Sequence, residues 1–428
     1  MHLSLAERAQ TALNSAIQRE IVAGAAIAAT DGESAIVAAG GVAPNDPSAS
    51  FDASYAPRIA CLLKPFLATI LHQLEEEGVL KVGDPVQKYL AELKLRPDAC
   101  SRISLLHLMS HTSGLIDQSL QSSVGRRGRS ALAVIKELGP LHGYCLPGEF
   151  VSYSNLGYLM LEAVIETVCD RGLPEVLAER ILCPLQLAQT AIRADGGSTT
   201  MPDVGLRMSC KDILRFVSEF ASNGTSDRGS SPALLRASTV DSMLRIRAAL
   251  PGSSQSYDSW SAGWARFGAK TFGHNALSTV DDMRIVTRFS PKTGKAIVIV
   301  ARTRRLFPLL VDLCNAVLPL ESPRLQSIGE LQQCAIDPAR EGVYWLPEGR
   351  LLRLWQRGGH LLGSLAAGPE AEAEPVTLKT TTKSFLYVAG NDGKPIGLFL
   401  FVRSRTGCVF LWDGESLHPR VRATSAND

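Results

Sequence analysis

Cys61 and Lys64 lie three residues apart in the stretch R-I-A-C-L-L-K-P-F. On a helix this spacing puts a thiol and an amine on one face, beside the first-turn N–H groups that have no partner within the helix. A thiol ionises near about pH 8.5 in model compounds, so it needs less help than a hydroxyl to become a nucleophile. The amine has two ways of helping. Charged, it pairs with a thiolate; desolvated and neutral, it takes the thiol proton as a base. Either way the chemistry is attack on a carbonyl carbon, with a thioester as the covalent product.

Two further groups of polar residues stand later in the chain. Tyr153-Ser154-Asn155 offers a phenol and an amide just before an apolar helical run, and His274-Asn275 lies in F-G-H-N-A-L-S-T. His107 and His111 are four residues apart, as a metal-binding pair on a helix would be, but no Glu or third ligand stands in the matching place. They are read instead as part of a helix that ends at a polar His-Thr-Ser-Gly turn.

Several elements must position these groups. The apolar residues Leu63, Phe66, Leu67, Ile70, Leu71 and Leu74 recur at spacings of three and four, which predicts a buried helix ending near Gly78. Residues 4–22 read as an amphipathic helix, and G-A-A-I-A-A-T and A-I-V-A-A-G as two strands around a tight turn at 31–33. Lys292-Thr293-Gly294 falls between two alternating segments and reads as their hairpin turn. Residues 122–130, with three arginines among Ser and Gly, read as a solvated loop, an anion site being the lesser alternative.

These motifs together resemble the serine β-lactamases and penicillin-binding proteins, in particular the branch of class C β-lactamases, D-aminopeptidases, esterases and acyltransferases. Cys61-Leu62-Leu63-Lys64 is similar to that family's S-x-x-K, with cysteine where the family has its nucleophilic serine. Residues 104–115 are similar to its L-L-x-H-T-S-G-L signature, and Tyr153-Ser154-Asn155 to its Y-x-N. His274-Asn275-Ala276 stands where the family has K-T-G or H-x-G, with Ala276 replacing glycine; a methyl there narrows the gap beside a substrate backbone.

The resemblance implies an α/β (α+β) β-lactamase-like fold: an antiparallel sheet flanked by helices, interrupted by a helical insert, over residues 1–320. Residues 321–337 are expected to be a linker. Residues 338–428, a series of short apolar runs between Gly, Asn and Asp turns, are expected to form a small lipocalin-like antiparallel barrel. The implied roles are catalysis by Cys61, Lys64 and Tyr153, substrate binding by Asn155, His274 and Asn275, and an oxyanion hole from the backbone N–H groups of Cys61 and Leu277.

The chain has 428 residues, 45% of them hydrophobic, and 44 Lys plus Arg against 42 Asp plus Glu. It therefore lacks the basic field that nucleic acid or an anionic membrane would call for. Small uncharged or amphiphilic substrates fit better. The nine cysteines are scattered, without a C-x-x-C pair, which argues against a disulfide framework and a zinc site. No cofactor or metal is implied. The first residues show no export signal and no apolar run reaches membrane-spanning length, so a cytoplasmic protein is expected.

Thioesters are attacked readily by amines and thiols. The reading that follows is an intracellular acyltransferase or thioester-handling enzyme of specialised metabolism, with a small acyl substrate, free or held on a carrier protein or CoA. Two alternatives stay open: a Cys-based hydrolase of esters or amides, and a non-catalytic β-lactamase-like binding or scaffold protein. The oligomeric state is left open.

Overall fold

The computed structural model describes residues 3–421 except 45, 47, 97–101, 116–128, 139, 188–189, 193–204, 225–232, 250–256, 305–306, 321–339, 347–349, 358–359, 368–370, 381–384, 391–394, 406–407 and 414–415. The expected linker at 321–337, and most of the arginine-bearing loop at 122–130, lie outside the described residues.

An eight-stranded antiparallel sheet forms the centre. Its strands are β1 (Gly24–Thr30), β2 (Ala35–Gly41), β3 (Ala248–Ala249), β4 (Ser259–Trp260), β5 (Ala265–Phe267), β6 (Thr271–Ser278), β7 (Met283–Ser290) and β8 (Lys295–Arg302). Their order in the sheet is β2-β1-β8-β7-β6-β5-β4-β3. The N-terminal hairpin is thus completed by the last strand of the sheet, with Ile27 opposite Ile299, and the helices between β2 and β3 form the insert. Lys292-Thr293-Gly294 is the turn between β7 and β8, as its flanking alternation predicts.

Strand β1 is Gly-Ala-Ala-Ile-Ala-Ala-Thr because both of its faces are covered closely. Ala25, Ile27 and Ala29 pack with Leu5, Ala9 and Leu13 of helix α1 (Leu5–Gln18), while Ala26 and Ala28 join the main core on the opposite face. Small side chains let helices approach both faces of the strand. Ser4 starts α1 with a reciprocal capping box: its hydroxyl accepts the Glu7 amide, and the Glu7 carboxylate accepts the Ser4 amide.

Helix α2 (Leu63–Glu76) runs through the main core and is covered more completely than a single apolar stripe requires. All residues from Leu63 to His72 are buried, Lys64, Thr69 and His72 among them. Thr69 Oγ1 and His72 Nδ1 bond locally, to the carbonyls of Pro65 and Ala68. Gly263, at positive φ, lies directly against this helix, where an added Cβ would stand 2.8 Å from the Ala68 methyl. Helix α3 (Leu105–Met109) and helix α4 (Asn155–Cys169) pack on the same core.

Beyond residue 341 a closed antiparallel barrel takes over, β9 (Gly342–Trp345), β10 (Leu351–Arg357), β11 (His360–Ala366), β12 (Glu374–Thr380), β13 (Phe385–Ala389), β14 (Pro395–Arg403), β15 (Val409–Trp412) and β16 (Leu417–Val421). Pairing of β9 with β16 closes it. Closure leaves no free edge in so small a sheet. Among the described residues no helix is long and apolar enough to cross a membrane.

Candidate active site

Cys61 sits on a single 3-10 turn, Ala60–Leu62, that leads directly into α2. It is a free, partly exposed thiol whose apolar side rests on the main core. The preceding residue, Ala60, has φ of +45°, in the left-handed region that an alanine rarely enters. Such strain persists only where neighbouring contacts impose it. Those contacts are present: Ile59 N–H donates to Leu206 O at 3.0 Å, Met208 N–H to Pro57 O at 3.2 Å, and Arg58 N–H to Asp281 Oδ2 at 2.9 Å.

One residue into α2, Lys64 is 1% exposed. Its Nζ donates to Asn155 Oδ1 at 2.8 Å and lies 4.7 Å from the ring centre of Tyr153 and 5.4 Å from that of Tyr158. The first and second sequence motifs therefore meet in space through the lysine. Asn155 is the first residue of α4, whose cap is Ser154: its hydroxyl accepts the Gly157 amide at 3.0 Å. Capping by Ser154 leaves the Asn155 amide turned to the lysine instead of to the helix end.

His111, read from sequence as part of a structural turn, holds the loop that carries Tyr153. Its carbonyl accepts the Ser152 amide at 2.8 Å, its Nδ1 accepts the Ser154 amide at 3.0 Å, and its ring stacks on Tyr153 with centroids 4.4 Å apart. Because Nδ1 accepts, a neutral His111 carries its proton on Nε2. Burial, with Lys64 and His274 nearby, holds this imidazole well below its ordinary pKa. His107 serves elsewhere, in a capping box with Ser104 at the start of α3. Among the described residues no group of three or more His, Cys, Asp or Glu side chains could hold a metal ion.

Strand β6 packs against the Cys61 turn and brings the third motif to the other two. His274 is 2% exposed, and its Nδ1 lies 2.7 Å from the Asn275 carbonyl. A carbonyl only accepts, so Nδ1 bears the proton and Nε2 a lone pair. Burial, followed by the charge of Lys64, pushes this histidine down to about 3, so it is neutral at ordinary pH. His111 and His274 are thus opposite tautomers. Their Nε2 atoms and Trp260 Nε1 are buried without a hydrogen-bond partner among the described residues. Trp260 stands edge-on to both imidazoles, 4.6 Å from His111 and 5.4 Å from His274.

Asn275, next along the strand, alternates to the other face, where Arg288 Nη1 donates to its Oδ1 at 2.9 Å. Arg288 is itself buried, lies over the Phe267 ring, and is pushed down to about 10 by desolvation. Ala276 is 2% exposed and belongs to the main core, opposite Ile285 in β7. Its methyl is therefore absorbed in packing. Leu277, at the end of the strand, turns an exposed side chain outward.

The barrel also reaches this region. Leu417 N–H donates to Ser152 Oγ at 3.1 Å and Ser416 Oγ to the Tyr153 carbonyl at 3.4 Å. Beside them Tyr144, Cys145 and Phe150 of the insert pack with Val402, Phe410, Trp412 and Leu417 of the barrel. The sequence marked neither this contact nor Trp260. Both depend on long-range packing, and the one local signal available was the histidine of H-T-S-G.

Comparison with known proteins agrees with this architecture. The family model described as Beta-lactamase matches residues 9–309. Penicillin-binding protein 4 of Amycolatopsis lactamdurans is 24% identical over 248 residues, covering 50% of this chain and 64% of that protein. Protein flp of Staphylococcus aureus is 24% identical over 152 residues, covering 35% of this chain and 30% of that one. The chain thus spans from under a third to just under two thirds of the length of these curated relatives. The crystal structure of SurE with D-Leu has a TM-score of 0.75 at 20% identity, covering 96% of this chain and 98% of that one. The D-amino acid amidase from Ochrobactrum anthropi, complexed with L-phenylalanine, has a TM-score of 0.59 at 18% identity over 73% of this chain and 96% of its own. At such identities the likeness concerns the fold.

Proposed function

The chain belongs to the beta-lactamase family, and from that premise we propose that it is an acyl-transfer enzyme working through a thioester on Cys61. The observation that carries the reading is Lys64: a lysine with almost no solvent exposure, held between Asn155 and Tyr153 one turn from a partly exposed thiol. Burying an amine is costly, and its bond to Asn155 offsets only part of that cost, which favours a role in the chemistry over one in stability. Retention of this lysine also weighs against the non-catalytic reading.

In the proposed cycle the Cys61 sulfur attacks the donor carbonyl while the thiol proton passes to Lys64, or is already there as a thiolate–ammonium pair. The backbone N–H groups of Cys61 and Leu277 donate hydrogen bonds to the developing oxyanion. The carbon–leaving-group bond then breaks, and Tyr153 with Lys64 returns a proton to the departing atom. An amine, thiol or water attacks the thioester, loses a proton to the same pair, and frees the Cys61 sulfur. Neutral His274, with its Nε2 lone pair, is fitted to accept a hydrogen bond and not to supply positive charge.

The donor class to test first is an acyl thioester, on a small thiol or on a carrier protein or CoA. Among the structural neighbours one carries D-Leu and another is a D-amino acid amidase, which makes D-configured aminoacyl groups the first to include. Intact-mass spectrometry after mixing with N-acetylcysteamine thioesters and amides of D- and L-amino acids tests the reading. The expected result is an adduct on Cys61 that decays faster with added amine than in buffer. Faster decay in buffer alone points to the hydrolase. No adduct from any donor, with Cys61 alkylated no faster than the other cysteines, overturns the enzymatic reading.

A further inference from the structure

Asp281 lies in the turn between β6 and β7, two residues past the third motif segment F-G-H-N-A-L-S-T, and three segments converge on its carboxylate. Oδ2 accepts the backbone N–H of Arg58 at 2.9 Å and the hydroxyl of Ser278 at 2.8 Å, and Oδ1 accepts from Arg207 Nη1 at 3.0 Å. Arg58 is three residues before Cys61, and Ser278 is the residue after Leu277. Arg207 belongs to the short strand Leu206–Met208 that runs beside residues 57–59. The aspartate side chain is 9% exposed.

From this convergence we infer that Asp281 is the positioning residue of the oxyanion hole, fixing the distance between the Cys61 and Leu277 amides. The inference rests on the reading of Cys61 as an acylated nucleophile. The two amides belong to segments some 200 residues apart in sequence, and catalysis by such donors depends on placement within a few tenths of an ångström. Strand β6 packs on the Cys61 turn from one side; Asp281 ties the end of that strand to the chain entering the turn. The left-handed Ala60 lies between the tied residue and Cys61, so the same carboxylate helps to impose the strained entry. Burial draws the Asp281 carboxyl upward, but the Arg58 amide, the Ser278 hydroxyl and Arg207 outweigh it and hold the group below its ordinary pKa.

Acylation and alkylation of the same sulfur separate this role from a merely structural one. Acylation passes through a tetrahedral oxyanion; displacement of iodide from iodoacetamide does not. Asp281→Asn keeps the shape but loses the charge and one acceptor. It is expected to slow thioester formation roughly tenfold to a hundredfold, the range for a small misplacement of reacting groups, with Cys61 alkylation unchanged. Ser278→Ala, which removes one bond and leaves the ion pair, is expected to slow acylation by a smaller factor, and it serves where Asp281→Asn does not fold. Equal loss of both reactions in the folded variants, or acylation as fast as in the unaltered chain, overturns the positioning role. If the unaltered chain forms no acyl-enzyme, the nucleophile reading fails and this inference fails with it.

Discussion

His111 grips Tyr153 from two sides: the imidazole stacks on the phenol ring with centroids 4.4 Å apart, and its Nδ1 takes the amide proton of the next residue at 3.0 Å. The residue that the family pattern supplies as part of a signature turn thereby sets where the phenol points. His111→Phe keeps the stack and removes the Nδ1 acceptor that the buried Ser154 amide uses. The expected loss is about 1–3 kcal/mol of unfolding free energy, measured by urea denaturation. His111→Gln, which retains an acceptor, should lose less.

Lys64→Met is close to isosteric and removes the amine. The variant is expected to fold, to react with iodoacetamide at Cys61 more slowly at neutral pH, and to form no acyl-enzyme within the time the unaltered chain needs to saturate. Peptide mass spectrometry reads both. Labelling indifferent to this change would mean that the lysine does not activate the sulfur.

Acid should weaken the fold through its buried histidines. His111 and His274 are held neutral by burial, His274 down to about 3, and His72 is lowered for the same first reason. The unfolded chain binds protons near pH 6.5 where the folded one does not, so stability is fully present above that pH. Through His274 it falls as the pH drops from 6.5 toward 3, by up to about 1.4 kcal/mol per pH unit, and His111 and His72 add to the fall in the same direction. Denaturation midpoints measured from pH 7.5 to 5 are expected to decline, and His274→Asn should flatten the slope.

Trp412 is 1% exposed at the seam between barrel and insert. Trp412→Ala is expected to cost about 3–5 kcal/mol and to loosen residues 150–154 along with the barrel, because Leu417 and Ser416 bind that loop. Hydrogen exchange is the measurement. Loss of protection confined to the barrel would show that the seam does not support the Tyr153 loop.

The main elements were legible because each leaves a local trace. Period-two alternation marked β7 and β8 on either side of Lys292-Thr293-Gly294, the tight turn at 31–33 marked β1 and β2, and the three-and-four spacing marked α2. The order of motifs announced a family whose fold the chain has, including the closed barrel of short runs at its end. What stayed hidden was set by packing between distant segments. Nothing near Asp281 hints that it binds Arg58, 223 residues away. The methyl of Ala276 read as an obstruction, yet the structure takes it into the core. Asn275 read as a partner for substrate, while its amide oxygen is engaged by Arg288 on the far side of the strand. Strand alternation made that orientation available from sequence; the buried arginine did not follow from it.

The place of β1 in the sheet, paired with β8, has a consequence for the birth of the molecule. On a ribosome strand β1 emerges early, but its partner at Lys295–Arg302 follows only after some 265 further residues. Until then one edge of an alanine-rich strand has open backbone groups, a template for pairing with another chain. Long-range closure of this kind slows folding. The helical insert, whose contacts are nearer in sequence, is free to organise first, and the sheet then shuts around it as a late step. A chaperone that shields β1 during synthesis should therefore raise the yield of folded protein more than one that acts on the finished chain.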